Sequence, residues 1–151
     1  MAVRRRRDAV GEAGEVIIDT KRGDIFESPY SNIIFAVNAE GVNNAGFAGQ
    51  VAYRFWPELE NIGAHELGTC LAHHGDDERT YHALVCHSLE QNGWAQAPEA
   101  ITQALDACDL PEHSAMVLAG SGLVGRMQGA DVYAILGGIA RSKHKIVIYT
   151  R

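Results

Sequence analysis

The hydrophobic positions fall into short β-like runs separated by longer amphipathic stretches. Val16-Ile17-Ile18 followed by Thr20 predicts a strand closed at Gly23-Asp24, and Ile33-Ile34-Phe35-Ala36-Val37 predicts a second, apolar on both faces and therefore interior. Between them, Glu27 to Asn32 is turn-rich, and Pro29 blocks a long helix. Ala48, Val51, Ala52 and Phe55 recur at helical spacing, and Pro57 ends that helix. Thr69 to His73 and Thr80 to Cys86 flank Gly75-Asp76-Asp77, which predicts a hairpin. Pro98 opens a helix carrying Ile101, Ala104, Leu105 and Cys108 on one face. Ala115 to Ala119 then reads as a short buried strand, Val132, Ile135, Leu136 and Ile139 as a helix, and Lys145 to Thr150 as a final strand. Strands alternating with helices, plus one hairpin, define an α/β class: a single three-layer domain whose mixed central sheet is flanked by helices.

Composition narrows this further. The chain has 151 residues, 46% of them hydrophobic and 21% charged. That suits one core, long enough to bury roughly 68–70% of the unfolded surface without a disulfide or metal. Lys plus Arg number 13 against 19 Asp plus Glu, a net charge of −6, which argues against a diffuse cationic field for nucleic acid. Residues 1–14, with Arg4 to Arg7, read as a flexible basic arm, and 15–151 as the domain. No apolar run approaches the roughly 20 residues of a membrane span, and the start lacks a secretory pattern. Cys70, Cys86 and Cys108 are odd in number with no Cys-x-x-Cys pair. The expectation is therefore no disulfide framework, no metal site, no cofactor, and a reducing, cytoplasmic setting.

Two loops share one logic. Asn38 to Gly46 and Gly120 to Gly125 each leave a buried strand, carry small residues and feed a helix. Backbone N–H groups at such a helix start form an anion site suited to phosphate, at the sheet edge where ligands bind in open α/β folds. The same glycines would equally serve as tight turns, because Gly120-x-Gly122-x-x-Gly125 follows a late strand rather than the first.

The ordered blocks Gly23-Asp24-Ile25-Phe26, Val37-Asn38-Ala39, Ala45-Gly46-Phe47-Ala48, Gly120-Ser121-Gly122-Leu123 and Lys145 to Tyr149 together resemble a macro domain. They are most similar to the subclass of terminal ADP-ribose glycohydrolases and DNA-ADP-ribosyl glycohydrolase antitoxins. The resemblance spans about residues 15–151 and implies a pocket for ADP-ribose or a related adenine nucleotide, free or carried on an ADP-ribosylated macromolecule. By that resemblance Asp24 accepts the adenine exocyclic N–H with the Ile25 backbone alongside, and Asn38 meets the distal ribose. Asn43 and Asn44 lie on the same loop. Gly46, Phe47 and Ala48 offer N–H groups to one phosphate, while Ser121, Gly122, Leu123, Val124 and Gly125 wrap the other. Each has a plainer reading: Asp24 as the cap of its own turn, Asn38 as an Asx-turn, Phe47 as core.

The departures from that subclass bear on chemistry. Its glycohydrolases use a first-helix lysine, whose position here falls at about Ala52, and the chain has no lysine between Lys21 and Lys143. The aspartate they place after Gly-x-Gly-Leu is Val124 here. An apolar side chain neither relays a proton nor stabilises a cation. The leading reading is therefore a reader or sequestering module that binds without turnover. The alternatives are an ADP-ribosyl hydrolase or ADP-ribose-phosphate phosphatase using His87 or Asp24, and a macro-like interaction scaffold with an inactive pocket. His87 is the catalytic candidate among the histidines because it ends a strand at the ligand edge. His73, His74 and His82 are expected on a solvated hairpin, and Tyr81 and Trp94 in packing rather than on a base.

Overall fold

The computed structural model describes residues 18–90, 95–111, 114–117 and 129–150. Its elements run in the order the hydrophobic pattern predicts. They are β1 (Ile18–Arg22), β2 (Asn32–Asn38), α1 (Gly46–Arg54), β3 (Cys70–His74), β4 (Thr80–His87), α2 (Ala97–Ala107), β5 (Ser114–Val117), α3 (Gly129–Ala140) and β6 (Ile146–Thr150). Short 3-10 turns occupy Ile25–Glu27 and Pro57–Glu60. The basic arm and the glycine-rich loop 120–125 lie outside the described residues.

One six-stranded sheet carries the fold, in the order β1-β6-β5-β2-β4-β3. All neighbours are parallel except the hairpin β3–β4, in which Cys70 pairs Leu84 and His74 pairs Thr80. The sheet is therefore mixed, and the hairpin alone supplies the antiparallel pairing. With β4 and β5 on its two edges, β2 is covered by α2 and α3 on one face and by α1 on the other, which is why its interior is unbroken Ile-Ile-Phe-Ala-Val.

Alternation along the strands divides the core in two. Ile34, Ala36, Leu84, Met116 and Ile148 face α2 and α3 through Ala100, Ile101, Ala104, Leu105, Ile135 and Ile139. Ile33, Phe35, Val37, Ala83, Val85 and Val117 face the opposite side, where α1 contributes Phe47, Val51 and Ala52. Helices on both faces of the sheet make the three layers. Close packing of α2 on α3 depends on Gly138: a Cβ there would run into the Pro98 backbone, and Thr102 Oγ1 donates to the Gly138 carbonyl at 2.5 Å.

Two expectations fail. Cys70, at the start of edge strand β3, and Cys108, at the end of α2, are joined by a disulfide with Cα atoms 5.7 Å apart. Their 38-residue separation conceals a proximity that the sheet topology creates. His82 is not on a solvated hairpin face but 3% exposed, because β4 is an interior strand covered on both sides. The solvated reading holds for His74, which is exposed, whereas His73 is half-buried and stacks on Trp56 with ring centroids 5.0 Å apart.

Candidate functional site

Parallel strands place their C-terminal ends on one edge, and the loops leaving that edge build the candidate site. Asn38 ends β2 and pairs with His87 at the end of β4, where a register shift between Val37 and Asn38 interrupts the ladder. Both residues are 8% exposed. The Ala39 N–H donates to the His87 carbonyl at 2.8 Å, so the two strand ends are tied together.

The loop from Asn38 to α1 is braced by its own asparagines. Asn38 Oδ1 accepts from the Gly41 and Val42 N–H groups at 2.8 and 3.1 Å, and its Nδ2 donates to the Val42 carbonyl at 2.7 Å. This is an Asx-type arrangement in which the carboxamide satisfies the loop backbone. Asn43 is 4% exposed, and its Nδ2 donates to the Leu59 carbonyl at 3.0 Å while its N–H donates to that of Glu60 at 2.9 Å. Gly41 has φ +80°, and any Cβ there would fall on the backbone of Gly63. Asn44, by contrast, is exposed at the rim.

The first helix begins without a side-chain cap. Ala45 is extended and contributes no capping bond, and the first backbone bond of the helix runs from Gly49 N–H to the Ala45 carbonyl at 3.0 Å. The N–H groups of Gly46, Phe47 and Ala48 precede that bond, at the positive end of the helix dipole. Gly46 is exposed with φ +63°, a backbone state that costs glycine little. Gly49 is also dictated: a Cβ there would stand 2.8 Å from the Asn44 carbonyl carbon, so the loop folds tightly over the first turn.

Aromatic packing brings the first strand's loop to the same place. Asp24 caps the turn after β1, accepting the Phe26 N–H on Oδ1 at 3.0 Å, while Ile25 is 2% exposed. Phe26 stacks on Phe47 at 4.9 Å, and Phe47 in turn packs against Phe35 at 5.6 Å. Phe47 is thus a core residue that clamps the Asp24–Glu27 turn onto the first turn of α1. The Arg54 guanidinium carbon sits 4.6 Å over Phe26 and 5.1 Å from the Phe55 centroid, capping the aromatic row on its solvent side.

A residue the sequence did not single out closes the rim. Glu40 accepts from Ser88 Oγ at 2.7 Å and from the Leu89 N–H at 3.0 Å, which ties the loop after β2 to the segment after β4. The Ser88 hydroxyl, the Leu89 N–H and the neighbouring His87 hold its carboxyl below the ordinary glutamate value. Only the 48-residue Glu40–Ser88 separation hides this pair in the sequence. His87 Nδ1 lies 3.7 Å from Cys86 Sγ, and burial pushes that thiol up to about 12. Ala52 is 4% exposed and packs with Phe47 and Val51 in the core between α1 and the sheet. Ser121, Gly122, Leu123, Val124, Gly125, Trp94 and His113 lie outside the described residues. The structure thus gathers Asp24, Ile25, Asn38, Asn43, Asn44, Gly46, Phe47, Ala48 and His87 along one edge of the sheet.

No family model matches the chain. It is 36% identical over 64 residues to the Polyprotein P1234 of Barmah forest virus, a match covering 42% of this chain and 3% of the polyprotein. The chain therefore spans only a small fraction of that relative's length. Among solved structures it resembles the macrodomain of Mycobacterium tuberculosis DarG with a TM-score of 0.62 and 16% identity, over 89% of this chain and 97% of that one. It also resembles the Oceanobacillus iheyensis macrodomain with ADP, with a TM-score of 0.65 and 14% identity over 93% of this chain and 86% of that one. The fold is that of the macrodomains.

Proposed function

We propose that the chain binds ADP-ribose or a related adenine nucleotide across the C-terminal edge of its sheet, as a reader or sequestering module that leaves the ligand intact. The observation that carries this reading is the uncapped start of α1, held against the Asp24 turn by the Phe26–Phe47 stack. The N–H groups of Gly46, Phe47 and Ala48 receive one phosphate of the ligand, where backbone donors and helix dipole act together. Asp24 receives the adenine amino group. Its bond to the Phe26 N–H fixes the carboxylate rotamer, and a carboxylate accepts several further hydrogen bonds. Asn38 lies beside the distal ribose and acts on it by shaping the loop. By the resemblance, Ser121 to Gly125, which lie outside the described residues, are assigned to the second phosphate. The ADP named with the Oceanobacillus iheyensis macrodomain supports the ligand class.

Binding without turnover is supported by Ala52 and Val124, which offer neither nucleophile nor proton relay at about the positions where the resembling glycohydrolases have lysine and aspartate. The second reading, a hydrolase, draws on His87, an imidazole at the rim with Glu40 nearby. Calorimetric titration with ADP-ribose, followed by chromatography after prolonged incubation, separates the readings. Heat with unchanged ligand supports capture, and a new product supports hydrolysis. The absence of heat favours an interaction scaffold. Asp24→Ala should weaken binding by about 1.5–3 kcal/mol if its carboxylate makes a charge-assisted bond to adenine. Unchanged affinity removes Asp24 from the site.

A further inference from the structure

On the face of the sheet opposite α1, β3, β4 and α2 bring together Cys70, His82 and Cys108, whose ligand atoms all lie within 4.8 Å of one another. His82 is 3% exposed. Its Nε2 lies 2.8 Å from Asn32 Oδ1, an acceptor, so Nε2 carries the ring proton and Nδ1 keeps its lone pair. That Nδ1 is buried and has no hydrogen-bond partner among the described residues. A buried acceptor without a partner is costly, and here it belongs to a group of soft and borderline ligands. An imidazole oriented through its other nitrogen by a polar side chain is the second-shell pattern of metal-binding histidines.

We propose that reduction of the Cys70–Cys108 bridge converts this cluster into a zinc site with Cys70 Sγ, Cys108 Sγ and His82 Nδ1 as ligands. The step balances with a small thiol as reductant. Two thiols are oxidised to one disulfide, and their two electrons and two protons turn the protein S–S bond into two S–H groups. Each S–H releases its proton on binding the metal. Tetrahedral zinc separates sulfur and nitrogen ligands by roughly 3.5–3.8 Å, given metal–ligand bonds of about 2.3 and 2.0 Å. The reduced sulfurs must therefore part by roughly 1.7 Å beyond their covalent distance, which Cα atoms 5.7 Å apart allow through side-chain rotation. Three protein ligands leave a fourth position, and the nearby His144 also carries a buried Nε2 with no partner among the described residues. The third cysteine, Cys86, is buried and remains a free thiol, so it serves as an internal control.

The test uses the full chain reduced with a water-soluble phosphine, which takes oxygen from water and ligates zinc poorly. Titration with Co²⁺ should give one equivalent of thiolate-to-cobalt charge-transfer and tetrahedral ligand-field absorption, bleached by Zn²⁺. The unreduced chain and Cys70→Ser/Cys108→Ser should give none. His82→Asn should weaken cobalt binding at least tenfold, and Asn32→Ala by about 10–100-fold through loss of ring orientation. In the unaltered chain, Zn²⁺ should protect Cys70 and Cys108 from alkylation, read by peptide mass spectrometry. Absence of thiolate bands in the reduced chain overturns the proposal. So does an undiminished affinity in His82→Asn, or alkylation of Cys70 and Cys108 at the same rate with and without Zn²⁺.

Discussion

Replacing Asn38 by alanine removes the three hydrogen bonds that shape the loop between β2 and α1. Two of them end on Val42, which is 41% exposed, so its N–H and carbonyl can recover water. The third ends on Gly41, which is buried and keeps only a long 3.3 Å contact to the Asn38 carbonyl. The cost is therefore one strongly desolvated donor plus two partly rehydrated groups, about 2–3 kcal/mol. Asn38→Asp keeps the oxygen that receives Gly41 and Val42 but sets a second oxygen against the Val42 carbonyl where a donor stood, about 1–2 kcal/mol. Urea unfolding checks both values, and the slope should stay unchanged, since neither variant alters the surface exposed on unfolding. The same loop delivers Gly46 to the start of α1, so Asn38→Ala should also weaken ADP-ribose binding. A loss of stability below about 0.5 kcal/mol in Asn38→Ala, or an aspartate variant less stable than the alanine one, refutes the reasoning.

Two further outcomes follow from the same rim. Gly41→Ala should destabilise by more than about 3 kcal/mol, because a positive φ and a collision with the Gly63 backbone add together. Gly23→Ala, with φ +148° and open space around it, should show the conformational cost alone, and thermal unfolding of the pair separates the two causes. Glu40 is held charged in the fold by Ser88 and Leu89, so its folded pKa lies below the unfolded value. The stability it contributes is complete above the usual glutamate range and is lost as pH falls through that range to the folded pKa. For so exposed a pair the effect is about 0.5–1 kcal/mol. Glu40→Gln should abolish this pH dependence, measured by urea unfolding between neutral and acidic pH.

The fold was legible because its strongest signals are local. The unbroken run of β2 announces a strand covered on both faces, and Pro57 and Pro98 mark where one helix has ended and the next begins. The hairpin was visible from two β-like runs around Gly75-Asp76-Asp77, with the observed β4 one residue longer at His87. What the sequence concealed are contacts between distant positions: the Cys70–Cys108 bridge, the Glu40–Ser88 pair and the stack of Phe26 on Phe47. His82 is an intermediate case. Reading Thr80 to Cys86 as interior, as β2 was read, would have buried His82 and raised the question of its partner. Asp24 and Asn38 show a different limit. Residue type places both in turns, and the hydrogen bonds they make there do not exclude a ligand beside them.

Titration of the isotopically labelled chain with ADP-ribose, followed amide by amide in nitrogen–proton correlation spectra, tests the central claim most directly. Saturable shifts are expected, largest at Gly46, Phe47, Ala48 and Ile25, with little change along α2. Spectra that do not move, or shifts centred on the α2–α3 face, contradict it.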